Sequence, residues 1–206
     1  MVSGLRGYSV GMRRFNAYAA NILTAGRVLL SPVFVYAVLQ AEGHRVWGIF
    51  AVVVFAIVAA SDVWDGRVAR RFRSDGRGGR IFDHFADILF LLSALGTYVE
   101  LGIAPWWVPA AIVAAFAYYV VDSRRRTLAG PLSLIGSRIG HVGGVWNYVL
   151  VGVLVCNNSA GIALLSPAFL MVLFSLVPLY SAAAVAARLA APAVVPETGY
   201  TSAASS

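Results

Sequence analysis

Residues 62–87 read DVWDGRVARRFRSDGRGGRIFDHFAD, and this stretch sets four aspartates, two glycines, an alanine and an arginine at fixed spacing in an otherwise apolar chain. Asp62, Asp65, Gly66, Ala69 and Arg70 follow i, i+3, i+4, i+7, i+8 steps, so on a helix they share one face. Gly79, Asp83 and Asp87 follow i, i+4 steps and share the face of a second helix. Two acidic faces on consecutive helices predict a metal site. At membrane depth the unpaired carboxylates would cost roughly 2.5–3.5 kcal/mol each, or about 10–14 kcal/mol for the four, unless cations neutralised them. Two divalent ions would do so.

The surrounding composition supplies the membrane. Of 206 residues, 60% are hydrophobic and 12% charged, which is too apolar for a soluble globular domain. Six apolar segments can be drawn, at about 22–39, 46–69, 81–101, 106–121, 139–155 and 164–189, and several approach or exceed a bilayer span. The net charge of +7 comes from arginine alone, since the chain has no lysine. Such a charge invites a nucleic-acid partner, but the arginines cluster at every second connection rather than on one soluble face, and this removes that reading. With the N-terminus in the cytoplasm, fifteen of the sixteen arginines fall on the inner side, counting Arg27 in the inner half of the first segment, and Arg45 alone falls outside. The expected architecture is therefore an all-α integral membrane protein of six transmembrane helices with both termini cytoplasmic.

Trp47, Trp106 and Trp107 fall near the outer boundary, where amphipathic rings settle, and Pro105 marks a helix start. The first twenty residues carry Arg6, Arg13 and Arg14 but no compact apolar core followed by a small-residue cleavage site; a short interfacial helix is expected there instead of a cleaved signal. The expected membrane domain is 1–190. From 191 to 206 the periodicity stops and Pro, Ser and Thr accumulate, as in a disordered tail. Cys156 is the single cysteine, so no intrachain disulfide is possible, and a buried free thiol is expected.

In this topology the second segment ends at Asp62 to Arg70 and the third begins near Gly79, so the two acidic faces meet near the cytoplasmic surface. Oxygen donors without histidine or cysteine at matching spacing favour Mg²⁺ or Mn²⁺ over zinc. Magnesium at a carboxylate cluster works chiefly on phosphates. Gly66 and Gly79 lack a Cβ on the acidic faces and would let a bulky ligand approach, although small residues there serve helix packing equally well. Ala69 and Ala86 suit packing, and Arg70 can donate a forked pair of hydrogen bonds to a phosphate. Asp75 falls in the connection, off both faces. His84 points about 100° away from Asp83 on a helix and is read as structural or interfacial.

The pattern D-x₂-D-G-x₂-A-R-x₈-G-x₃-D-x₃-D resembles the signature of the CDP-alcohol phosphotransferase family, matched at Asp62, Asp65, Gly66, Ala69, Arg70, Gly79, Asp83 and Asp87. The six-segment topology agrees with the fold of that family. The resemblance implies transfer of a phosphatidyl group from CDP-diacylglycerol, or of a phosphoalcohol from a CDP-alcohol, to a hydroxyl acceptor with release of CMP. It implies Asp62, Asp65 and Asp83 as metal ligands, and Asp87 as both a ligand and the general base. A carboxylate beside a metal ion is a weak base, but activation of the β-phosphorus and of the leaving CMP makes modest proton removal sufficient. Gly66, Ala69, Arg70 and Gly79 would lie against the cytidine diphosphate. The resemblance also implies a homodimer in a bacterial inner membrane, with the active site facing the cytoplasm.

Asn21, Thr24 and Arg27, followed by Pro32, resemble the N-x₂-T-x₂-R opening of bacterial phosphatidylglycerophosphate synthases in the same family. Asn21 and Thr24 either line the nucleotide pocket or cap the first helix. For the acceptor, Arg124, Arg125, Arg126, Arg138 and His141 form a basic patch on the inner side. Family members that use inositol phosphate hold its phosphate with basic residues in the corresponding connections, which points to Arg125 and Arg138; adjacent arginines at a helix end also act as topology determinants. Phosphatidylglycerophosphate synthases commonly carry Asp-Pro before the last Asp and Lys after it, whereas this chain has Asp83-His84-Phe85-Ala86-Asp87-Ile88. The acceptor is left as a small polar, phosphorylated alcohol of the glycerol 3-phosphate or inositol phosphate type, with a lipid acceptor as the alternative. An ion or proton carrier also explains intramembrane acids, but not Gly66, Ala69, Arg70 and Gly79 together. An inactive scaffold would not need the intact motif.

Overall fold

The computed structural model describes residues 24–72, 77–126, 138–162 and 164–190, with the backbone alone at 62–72, 77–81, 83, 126, 138 and 139. Among the described residues there are helices and no strand. They are α1 (Thr24–Ala41), α2 (Arg45–Phe72), α3 (Arg77–Glu100), α4 (Trp107–Arg126), α5 (Arg138–Leu154) and α6 (Pro167–Ala190), with a π-helical turn, Val155–Ser159, continuing α5. Each coincides with one expected apolar segment to within a few residues. The interfacial helix, Asn21, Asp75 and the tail 191–206 lie outside the described residues.

The helices end where local chemistry stops them. After α3 the chain turns at Gly102, whose φ of +70° suits a residue without a Cβ. Ile103 N–H donates to the Tyr98 carbonyl at 2.9 Å and Gly102 N–H to Val99 at 3.0 Å, so two carbonyls of the last turn are satisfied by the glycine-centred cap. Between α1 and α2, Gly43 and His44 both donate to the Gln40 carbonyl at 3.3 Å, which closes a turn of three residues. Pro105 does precede α4, and its carbonyl accepts from Val108 N–H at 3.1 Å.

Contacts between helices fix which ends lie together. Tyr36 near the end of α1 packs edge-on against Trp47 at the start of α2, with centroids 5.3 Å apart. Gly48, also at the start of α2, meets the π turn so closely that an added Cβ would lie 1.8 Å from the Ser159 carbonyl oxygen. Ser159 Oγ is in turn 2.9 Å from Tyr98 Oη near the end of α3. One end of the bundle thus gathers Trp47, Gly48, Tyr98 and Ser159. The starts of α1, α3 and α5 and the ends of α2, α4 and α6 lie at the other end, and with them the described arms of the acidic hairpin. Cys156 falls in the π turn as a free thiol and is half-buried, less enclosed than its apolar neighbours implied.

The core runs along the axis as Phe34, Val54, Val58, Phe90, Ala94, Leu95, Tyr98, Leu150, Leu154 and Phe174. Leu29, Ile49, Val53, Ile57, Phe85, Val149, Val172 and Leu179 instead face outward. An apolar exterior on this scale is foreign to a water-facing monomer and natural to a bilayer-facing one. By length and composition, Thr24–Ala41 and Pro167–Ala190 are each able to cross a membrane, and Arg45–Ser61 is a shorter apolar stretch of α2.

Candidate active site

Asp87 lies on the first half of α3, where side chains of α1 and α5 reach it. Its side chain is 21% exposed, and Arg27 of α1 donates from Nη1 to Oδ1 at 2.6 Å. Tyr148 of α5 donates its hydroxyl to the same oxygen at 3.1 Å. Arg27 also donates from Nε to Ser61 Oγ of α2 at 3.4 Å, one residue before Asp62. Beneath the carboxylate lies an aromatic floor: the Phe90 and Tyr148 rings stack at 6.2 Å and 14°, with Phe55 and Phe34 centred 6.4 and 5.3 Å from Phe90. The acid therefore sits where polar side chains meet the apolar core.

Helix α2 continues unbroken through Asp62, Asp65, Gly66, Ala69 and Arg70, and α3 already includes Gly79 and Asp83. The helical spacing read from the sequence is thus realised, while the side chains of these residues, like that of Arg138, lie outside the described set. Accordingly, the described residues contain no group of three or more His, Cys, Asp or Glu able to hold a metal ion. The donor set nevertheless fits a hard divalent cation. It is made of carboxylates on two consecutive helices, and the one motif carboxylate whose side chain is described is directed inward among a guanidinium and a phenol.

Thr24, one turn before Arg27, is buried at the start of the described part of α1. Arg125 is exposed at the end of α4 and available to a ligand from solution. Arg188 of α6, counted among the inner arginines, is engaged within the protein: its Nη1 donates to Asp122 Oδ2 at 2.9 Å, and its guanidinium lies 4.3 Å from the centre of the Tyr119 ring. The His84 ring lies 6.3 Å from Tyr119 at 28°, the packing role expected of it. These contacts tie α3, α4 and α6 together beside the acidic hairpin.

Sequence reasoning assigned no site role to Tyr148 or Ser61, and it placed Arg27 in the N-x₂-T-x₂-R opening and among the inner-side charges without giving it a partner. For Arg27 a signal existed, because an arginine four residues into a run of apolar helix is costly unless it has a partner. For Tyr148 and Ser61 there was none, since a lone tyrosine or serine on an apolar helix looks like any other.

The sequence profile described as CDP-alcohol phosphatidyltransferase matches residues 17–195, most of the chain. This chain belongs to the CDP-alcohol phosphatidyltransferase family. Named relatives agree. A "Putative cardiolipin synthase" of Mycobacterium tuberculosis (strain ATCC 25618 / H37Rv) is 35% identical over 118 residues, covering 57% of this chain and 50% of the relative. A "Probable phosphatidylglycerophosphate synthase" of the same strain is 36% identical over 98 residues, 47% of each chain. The "CDP-diacylglycerol--glycerol-3-phosphate 3-phosphatidyltransferase" of Escherichia coli (strain K12) is 30% identical over 173 residues, covering 79% of this chain and 93% of the relative. The matched region thus spans about half the length of the mycobacterial relatives. Members of the CDP-alcohol phosphatidyltransferase family generally use divalent metal ions, in keeping with the donor set here. Family membership and the apolar helices together mark a membrane protein.

Proposed function

We propose that this protein is a phosphatidyltransferase of phospholipid synthesis, moving a phosphatidyl group from CDP-diacylglycerol to the hydroxyl of a small, phosphorylated alcohol with release of CMP. The observation that carries the reading is Asp87: the last acid of an intact eight-position motif, largely buried and held by Arg27 and Tyr148 where the acidic hairpin meets the core. Asp62, Asp65, Asp83 and Asp87 hold two Mg²⁺ or Mn²⁺ ions, which when bound compensate the phosphoryl charge and that building on the departing CMP. Gly66, Ala69, Arg70 and Gly79, with Asn21 and Thr24, receive the cytidine diphosphate. Asp87 takes the proton of the acceptor hydroxyl as its oxygen bonds to the β-phosphorus, and the bond from that phosphorus to the bridging oxygen breaks, so CMP leaves with the electron pair. Arg125 and Arg138 hold the acceptor's phosphate.

The same reading has six spans with both termini in the cytoplasm, a membrane domain over 1–190 that opens with a short interfacial helix before its first span, and a homodimer in a bacterial inner membrane. The arginine distribution supports this orientation. For the acceptor, the Escherichia coli relative's name supports glycerol 3-phosphate. A lipid acceptor is the second reading, supported by the relatives named cardiolipin synthase. Incubation of the purified protein with CDP-diacylglycerol, Mn²⁺ and separate glycerol 3-phosphate, inositol phosphate and phosphatidylglycerol decides between them. CMP is expected with one of the two phosphorylated alcohols; CMP with phosphatidylglycerol alone selects the lipid acceptor, and none with any acceptor overturns the activity.

A further inference from the structure

Arg27 is 1% exposed and is among the largest fully buried side chains of the protein. An arginine that only sets topology needs to lie at a helix end in the lipid head-group region, where it is solvated. Arg27 is instead enclosed by helices, and its guanidinium hydrogen-bonds to two different ones: Nη1 to Asp87 Oδ1 on α3 at 2.6 Å, and Nε to Ser61 Oγ on α2 at 3.4 Å. The Ser61 hydroxyl gives its own proton to the Val58 carbonyl at 2.7 Å, which leaves its oxygen to accept from Nε. On α1, Ser31 Oγ donates to the carbonyl of Arg27 at 2.9 Å, tying the backbone beneath the side chain. Tyr148, stacked on Phe90, meets Asp87 at the same oxygen as Arg27 does, so two donors from two helices define the carboxylate's orientation.

We propose that Arg27 is a positioning residue that braces the two acidic helix faces against each other, holding the end of α3's motif through Asp87 and the beginning of α2's motif through Ser61. The inference rests on the reading of Asp87 as base and metal ligand. Hard divalent ions demand fixed oxygen separations, and the carboxylates that would supply them stand on separate helices joined by a short connection. A guanidinium suits the brace because its donors diverge from a rigid plane, so one side chain can reach both partners. The lysine ammonium is a single point on a flexible stem and can keep Asp87 but not both arms at once.

The test compares Arg27→Lys, Arg27→Gln, Ser61→Ala and Tyr148→Phe with the wild type in detergent. Thermal unfolding, the electron paramagnetic resonance spectrum of bound Mn²⁺, and kcat and KM for CDP-diacylglycerol are measured for each. Arg27→Lys is expected to unfold within a few degrees of wild type and to change KM less than about threefold, while kcat falls about tenfold to a hundredfold, as a displacement of order 1 Å does. Its bound-Mn²⁺ spectrum should differ from wild type, and Arg27→Gln should lose more kcat than Arg27→Lys. Wild-type kcat and spectrum in Arg27→Lys overturn the proposal; so does a tenfold rise in KM at unchanged kcat, which would make Arg27 a substrate contact. Should both Arg27 variants fail to fold, Ser61→Ala and Tyr148→Phe keep every charge and decide the matter: altered Mn²⁺ spectra with lowered kcat support the brace, and wild-type behaviour in both overturns it. If the wild type releases no CMP with any acceptor, the activity reading has failed by itself, and the Mn²⁺ spectra still report whether Arg27 sets the site's geometry.

Discussion

Arg27 and Asp87 form an ion pair with 1% and 21% of their side chains exposed, so neither can be removed without consequence for the other. Breaking one side of a buried pair typically costs about 3–5 kcal/mol, because the remaining charge keeps its desolvation without its partner. For Asp87→Asn we therefore expect two separable effects: CMP release is abolished while CDP-lipid binding persists, and thermal stability falls through stranding of Arg27. Adding Arg27→Gln to Asp87→Asn should recover much of the melting temperature and none of the CMP release. CMP release near wild type in Asp87→Asn would remove its role as base. The basic patch makes a different demand. Arg138→Ala is expected to raise KM for the acceptor about tenfold with kcat little changed, on the order of one charge-assisted phosphate contact, and an unchanged KM would count against a phosphate contact there.

At the scale of elements, the bundle depends on close approach between helices. A Cβ at Gly48 would sit 1.8 Å from the Ser159 carbonyl oxygen, a backbone atom that cannot turn aside, whereas one at Gly143 would meet the edge of the Tyr180 ring at 2.8 Å. Overpacking commonly costs about 1–3 kcal/mol. Gly48→Ala is expected at the upper end of that range and Gly143→Ala at the lower, because a ring can rotate and a carbonyl fixed by the π turn cannot; thermal unfolding in detergent compares them. The helices themselves were legible in the sequence, since six apolar runs separated by arginine or turn residues leave little choice. The π turn was not: Val155–Ser159 reads as ordinary helix followed by asparagines, and its contacts with Gly48 and Tyr98 through Ser159 are made across the fold.

For the whole molecule, the proposed orientation and the metal requirement give independent checks. With Cys156 replaced by serine, a cysteine at Gly43 should react with an impermeant maleimide in intact cells, and one at Ser133 should react only after lysis; the reverse pattern inverts the topology. Chelation with EDTA is expected to abolish CMP release, and Mg²⁺ or Mn²⁺ to restore it, since the clustered carboxylates need compensating charge. Activity that survives exhaustive chelation would exclude the metal-assisted mechanism.

The amino-acid sequence determined the helical class, the succession of six apolar segments, and the motif Asp62, Asp65, Gly66, Ala69, Arg70, Gly79, Asp83, Asp87 that marks the family, because hydropathy and helical period are properties of residues near one another in the chain. Tertiary structure alone decided the partners of Asp87. Arg27 and Tyr148 come from α1 and α5 and converge on Asp87 only when the bundle packs, 60 and 61 residues from it in the chain, and Arg27 reaches Ser61 of α2 by the same packing. A carboxylate's neighbours across such distances are set by which helix faces meet, and no local spacing encodes that.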